Sequence, residues 1–135
     1  MRHLTDGHPM LQRYLNVIPR CDILLPSVVV AESLRKRCEF ATKAEPDQVL
    51  LAHSLLLELL QLVQTFQHIG FDAASAERFR QLKLKHPQHK LHADLMIAAI
   101  AQTGKHIVVT RNLKDFSKFL PPHQLQNWID DPPSH

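Results

Sequence analysis

The stretch from Leu91 to Phe116, LHADLMIAAIAQTGKHIVVTRNLKDF, constrains the fold more than any other part of the chain. Asp94 opens an apolar run, Leu95 to Ala101, and Gly104 closes it, which predicts a helix with a glycine stop. The run His106-Ile107-Val108-Val109 then reads as a strand. Thr110-Arg111-Asn112 forms a second turn, with Asn112 placed to cap a short helix from Leu113 to Phe116. An Asp therefore stands near each end, Asp94 and Asp115. Two carboxylates that meet in space begin a metal site, and the rest of the chain must supply any further ligands.

The totals place the chain among ordinary globular proteins. Its 135 residues suit one domain, and 44% apolar with 21% charged residues excludes disordered and fibrous classes. The longest apolar run, Leu95 to Ala101, is far too short for a membrane span, and the N-terminus MRHLTDGHP lacks the apolar core of a signal peptide. Cys21 and Cys38 make no disulfide framework and fit unpaired, partly buried thiols in a reducing cytoplasm. A net charge of +3 with ten His permits a polyanionic partner without demanding one.

Along the chain, Pro9 opens a short helix, Met10 to Val17, with Leu11, Tyr14 and Leu15 on one face, and Pro19 stops it. Residues 23–25 read as a strand, and Ser27 as the cap of a helix running to about Phe40. Glu32 falls in its first turns, with Arg35, Lys36 and Arg37 on its exposed side. A second helix, residues 47–67, has a polar stripe through Ser54, Glu58 and Gln61. Its opposite arc, from Val49 and Leu51 to Val63 and Phe66, is wide enough either for a deep core position or for a partner.

A short strand is expected at residues 68–71, then a helix Ala73 to Lys85 capped by Asp72, with Ala76, Phe79 and Leu82 inward. His86, His89 and His92 recur at intervals that metal sites use, but Pro87 breaks any helix that would align them, so they read as solvated loop histidines. Leu125 to Ile129 reads as a last strand, and Asp130 to His135 as a polar tail. The alternation of strand and helix predicts an α/β sandwich with a parallel sheet and sites at the carboxyl ends of its strands. Glu32, Asp94 and Asp115 all sit near such junctions. Each also has a plain reading, as an early-helix acid, a first-turn acid or a turn residue, and spacing does not decide between the two.

Three segments resemble a known family. Ser27-Val28-Val29-Val30-Ala31-Glu32-Ser33-Leu34, His92-Ala93-Asp94-Leu95-Met96-Ile97-Ala98-Ala99 and Val109-Thr110-Arg111-Asn112-Leu113-Lys114-Asp115-Phe116 are similar, in order, to motifs of PIN domains, and within them to VapC toxins of toxin–antitoxin systems. Leu125-Gln126-Asn127-Trp128 resembles the family's last strand. The resemblance implies a three-layer α/β/α fold with a central, mainly parallel sheet, and a homodimer. It implies a Mg²⁺- or Mn²⁺-dependent endoribonuclease held in check by a cognate antitoxin. Carried over, Glu32, Asp94 and Asp115 are acidic metal ligands and Thr110 and Asn112 assist. Arg35, Lys90 and Arg111 meet RNA phosphates.

The front of the chain departs from that pattern. His3-Leu4-Thr5 matches the end of the family's Asp-Thr-Asp/Asn-His-Leu run, which places the first catalytic Asp just before Met1, and Asp6 is in the wrong register to replace it. The reading is a single PIN-like domain over residues 1–135, N-terminally truncated, either an RNA-cleaving toxin or a decayed module that retains dimerisation or antitoxin binding. An α/β domain unrelated to nucleases is the third reading.

Overall fold

The structure, a computed structural model, describes residues 9–130. Residues 1–8, where the irregular start and the register of Asp6 were expected, lie outside the described residues, as do the Leu11 side chain and the tail 131–135. Helix α1 (Pro9–Val17) leads through a 3-10 turn (Arg20–Asp22) to strand β1 (Leu24–Pro26). Helices α2 (Ser27–Lys43) and α3 (Val49–Val63) follow, then β2 (Gln67–Ile69). Helices α4 (Ala73–Lys85) and α5 (His92–Gly104), strand β3 (Val108–Val109), the short α6 (Leu113–Phe116) and β4 (Leu125–Gln126) complete the order.

Helix α2 starts at Ser27 rather than after it. Pro26, extended at φ −64° and ψ 141°, is the cap residue, and no side chain takes that role. Helix α3 is shorter than the apolar arc implied. It ends at Val63, where Thr65 donates both its N–H and its hydroxyl to the Leu62 carbonyl, and His68 Nε2 donates to the Val63 carbonyl at 2.7 Å. Helix α4 spans the expected residues. Its cap is made as the sequence predicts, Asp72 Oδ1 accepting the Ser75 N–H at 2.7 Å. Its inner face, however, is Ser75, Phe79 and Leu82; Ala76 is exposed. The strand expected at 106–109 keeps only two residues, because the chain is still leaving α5 through His106. The last strand is likewise cut to two residues.

The Asp72 cap has a consequence for acid stability. The Ser75 backbone N–H, together with the Ser75 side chain, holds the Asp72 carboxyl below its ordinary range. A depressed folded pKa gives stability that is present above the unfolded value, about 3.9, and is lost as pH falls through the folded value. Asp72→Asn keeps an acceptor but no charge. It is expected to be less stable than the parent at neutral pH, with the difference closing on the acid side in pH-dependent urea unfolding.

Helix α5 ends on Lys105 in the left-handed region, φ 56° and ψ 40°. The Ala101 carbonyl there receives the N–H groups of Lys105 and His106 and the Gln124 side-chain amide. Gly104 leaves room for the next ring, since a Cβ at that position would lie 2.3 Å from His106 Nε2. A side chain at positive φ costs about 1–2 kcal/mol, partly offset by the extra chain entropy of glycine. Lys105→Gly is therefore expected to raise stability by about 0.5–1 kcal/mol, read as a shift in urea midpoint at unchanged slope.

The sheet is parallel, as expected, but among the described residues it is two separate pairs. Strand β1 pairs β2 (Leu24 with Gln67, Pro26 with Ile69) and β3 pairs β4 (Val108 with Leu125, Val109 with Gln126). The core is divided in the same way. One cluster, around Leu95, Ala98, Ala99, Phe116 and Phe119, joins α4, α5 and α6; α4 and α5 pack along their length. A second cluster, Leu25, Leu59, Val63 and Phe66, sits under β1 and α3 with Val30 and Leu34 of α2. A third is built on Tyr14, whose ring stacks on Trp128 at 4.8 Å and ties α1 to the chain after β4. Domains of this size normally hold one contiguous core. Here the division runs between the two strand pairs.

The wide apolar arc of α3 is only partly used. Ala52, Leu59 and Val63 are buried, whereas Val49, Leu51 and Leu60 of the arc, and Leu50 and Leu57 beside it, are exposed. Cys21 and Cys38 are both exposed, not partly buried as expected, because each falls on an outward face.

Candidate functional site

A cleft of about 840 Å³ lies between the two strand pairs. Leu24, Leu25 and Pro26 of β1 line one side, and Val108 and Val109 of β3 line the other. Its floor is apolar, from Ile97 and Ile100 of α5, Leu15 of α1 and Ile18 just past that helix. Polar groups come from Asp94 at the start of α5, from Thr110, Arg111 and Asn112 just past the end of β3, and from Asp22, Lys105, His106 and Gln126 around them. The carboxyl ends of parallel strands are where such folds place sites.

Asp94 is the one of the three carboxylates from the sequence motifs that reaches this cleft. It lies in the first turn of α5, its side chain is 15% exposed, and Oδ2 accepts from His89 Nε2 at 3.0 Å. Asp115 lies just beyond, in α6. Its Oδ2 accepts the Asn112 side-chain amide at 2.7 Å, and its Oδ1 stands 3.9 Å from Lys118 Nζ. Thr110 and Asn112 form one unit with it. Thr110 Oγ1 accepts the Asn112 N–H at 3.0 Å, and the Thr110 N–H donates to the Gln126 carbonyl, extending the β3–β4 ladder. Asn112 is the residue before α6 but makes no side-chain cap; its amide is spent on Asp115.

Glu32 is placed differently. It stands about 200° around α2 from Val30, which packs into the core, and so it faces outward. There it is half exposed and accepts from Arg35 Nη2 at 3.1 Å, with Glu39 3.8 Å from the same guanidinium. Arg111 is engaged with Asp130 through two 3.2 Å contacts, Nε to Oδ2 and Nη2 to Oδ1. Lys90 is exposed. Of the motif residues, the structure thus gathers Asp94, Thr110, Arg111 and Asn112 at one cleft with Asp115 beside it, and does not bring Glu32 or Arg35 there.

Among the described residues no three His, Cys, Asp or Glu side chains come together to hold a metal. Each acid is instead held by a neighbour: Glu32 by Arg35, Asp94 by His89, Asp115 by Asn112 and Lys118. The described residues alone do not fit Mg²⁺, which takes one or two carboxylates together with other oxygens on one octahedron.

Two of the three histidines behave unlike their sequence reading. His86 and His89 both set their ring edges against Phe119, and His92 tilts against Phe79. Among the described residues they form no zinc triad; Pro87 turns the loop so that His86 and His89 flank one buried ring, while His92 stays exposed. Burial, reinforced by Lys85, His89 and Lys118, pushes the His86 imidazole below its ordinary value. His89 was not singled out by sequence beyond its spacing. The signal for it, a His five residues before Asp94, becomes visible only with the Phe119 contact.

A family model for the PIN domain matches residues 1–119. The chain belongs to the PIN-domain family. Its parallel strand pairs between helices agree with the α/β fold of that family, and PIN domains are generally nucleases. No curated protein and no solved structure matches the chain. Among the described residues no helix is long and apolar enough to cross a membrane.

Proposed function

We propose that this PIN domain is the frame of a VapC-like endoribonuclease toxin, dependent on Mg²⁺ or Mn²⁺ and neutralised by a cognate antitoxin. Family membership supports nuclease chemistry, and the observation that carries the finer reading is the cleft. Two parallel strand pairs face each other across it, with Asp94 and the Thr110–Asn112 turn at its polar side. A central strand ending in an acid would join the two pairs and place a second carboxylate near Asp94. In this reading the further ligands come from outside the described residues. Arg111 borders the cleft and meets phosphate after exchanging Asp130 for it, and the exposed Lys90, next to His89 in sequence, is the second phosphate contact of this reading.

A second reading is a catalytically decayed module that retains dimerisation or antitoxin binding. The exposed leucines of α3, Leu50 at 82% and Leu57 at 59%, favour it. The two readings separate in one experiment. The 135-residue chain is incubated with a labelled RNA hairpin in Mg²⁺, in Mn²⁺ and in excess chelator. Metal-dependent cleavage supports the nuclease reading. Intact RNA, together with tight binding of a small protein encoded beside the gene, supports the module.

A further inference from the structure

The loop between α4 and α5 delivers a histidine to the carboxylate that borders the cleft. Pro87 starts a turn closed by the His89 N–H donating to the His86 carbonyl at 3.1 Å. The turn sets both imidazoles edge-on to the Phe119 ring, with centroids 4.8 and 5.0 Å away and planes at 85° and 86°. Phe119 is itself buried in the cluster with Leu95 and Ala99 of α5. The ring of His89 is thus held from a residue thirty positions away, not by the loop alone. Its side chain is only 10% exposed, and its Nε2 lies 3.0 Å from Asp94 Oδ2.

An ionised carboxylate only accepts hydrogen bonds, so this contact requires the imidazole to carry its proton on Nε2. Oδ2 is then committed, while Oδ1 takes no hydrogen bond among the described residues. We propose that His89 is the positioning residue for Asp94. Its donor stops the carboxylate from rotating and leaves Oδ1 as the oxygen that works at the cleft. His89 does not itself meet substrate, since its ring is enclosed and its Nε2 is already engaged. The pairing stands on geometry alone; its effect on rate rests on the nuclease reading above.

Two substitutions separate positioning from packing. His89→Phe keeps a ring against Phe119 and removes the donor. His89→Gln loses the ring and keeps an amide donor at the reach of Nε2. Small misplacements of a reacting group cost up to about a hundredfold, so His89→Phe is expected to cut RNA cleavage about 10- to 100-fold while His89→Gln stays within about threefold. A residue that merely fills space gives the reverse order, which overturns the proposal. Adding His89→Phe to Asp94→Ala is expected to cost nothing further. The second readout needs no activity: ¹⁵N-labelled histidine in the full chain, with the His89 signal identified by its loss in His89→Gln. At alkaline pH a proton held on Nε2 with a bare Nδ1 in the parent, relaxing toward the mixed tautomers of a free imidazole in Asp94→Ala, supports the pairing, and a tautomer balance that does not change in Asp94→Ala overturns it. If the parent chain cleaves nothing, the nuclease reading fails, and the tautomer alone decides the pairing.

Discussion

Leu59→Ala is expected to lower the stability of the chain by about 2–5 kcal/mol. Leu59 is 1% exposed and forms the middle of the cluster with Leu25, Val63 and Phe66, between α3 and the β1–β2 pair. Removing its side chain forfeits the transfer free energy and leaves a void among Leu25, Val63 and Phe66. Against a typical total of about 5–15 kcal/mol, such a loss unfolds a large share of molecules near physiological temperature. Leu50→Ala, two turns and more away on the exposed face of the same helix, is expected to stay within about 0.5 kcal/mol. Urea unfolding followed by circular dichroism distinguishes the two. Equal losses would mean that the exposed leucines are covered in solution, which points to a dimer or a bound partner.

Asp94→Asn is expected to remove RNA cleavage almost completely, by about three decades, or about 4 kcal/mol at about 1.4 kcal/mol per decade. The substitution is isosteric, and the new amide oxygen still accepts from His89, so the helix start and the loop stay in place. Activity and stability should therefore separate: cleavage lost, thermal midpoint nearly unchanged. An Asp that served only as a first-turn acid beside the helix dipole would give the opposite pattern, a small stability change and full activity.

The parts of this fold that could be read in sequence are those decided locally. Helix α4 and its Asp72 cap follow from one acid, one apolar periodicity and one proline, and the structure agrees on the bounds and the cap, though Ser75 rather than Ala76 faces inward. The end of α5 at Gly104 is equally local, although the left-handed residue turned out to be Lys105. Strand ends were less legible, because β3 and β4 are pared to two residues each by what precedes and follows them. The His106 ring packs over Gly104 before β3 begins, and Asn127 turns the chain after β4 by accepting the N–H groups of Ile129 and Asp130.

The site divides in the same manner. The Thr110-Asn112-Asp115 unit is a local turn, and its mutual hydrogen bonds agree with residues recognised together. Glu32 carried a family motif, but its direction depends on which face of α2 meets the core, and Val30 and Leu34 turn it outward. The link between His89 and Asp94 could not be read at all from spacing, because it depends on Phe119, far along the chain. The division of the core into clusters on either side of a cleft was also invisible to periodicity, which reports apolar faces but not what fills the space between them.

The most direct measurement is cleavage of an RNA hairpin by the 135-residue chain and by its Asp94→Asn variant, each with Mg²⁺, with Mn²⁺ and with excess chelator. Metal-dependent cleavage that disappears with Asp94→Asn is the expected result. No cleavage by the folded chain, or cleavage that survives Asp94→Asn, would contradict it.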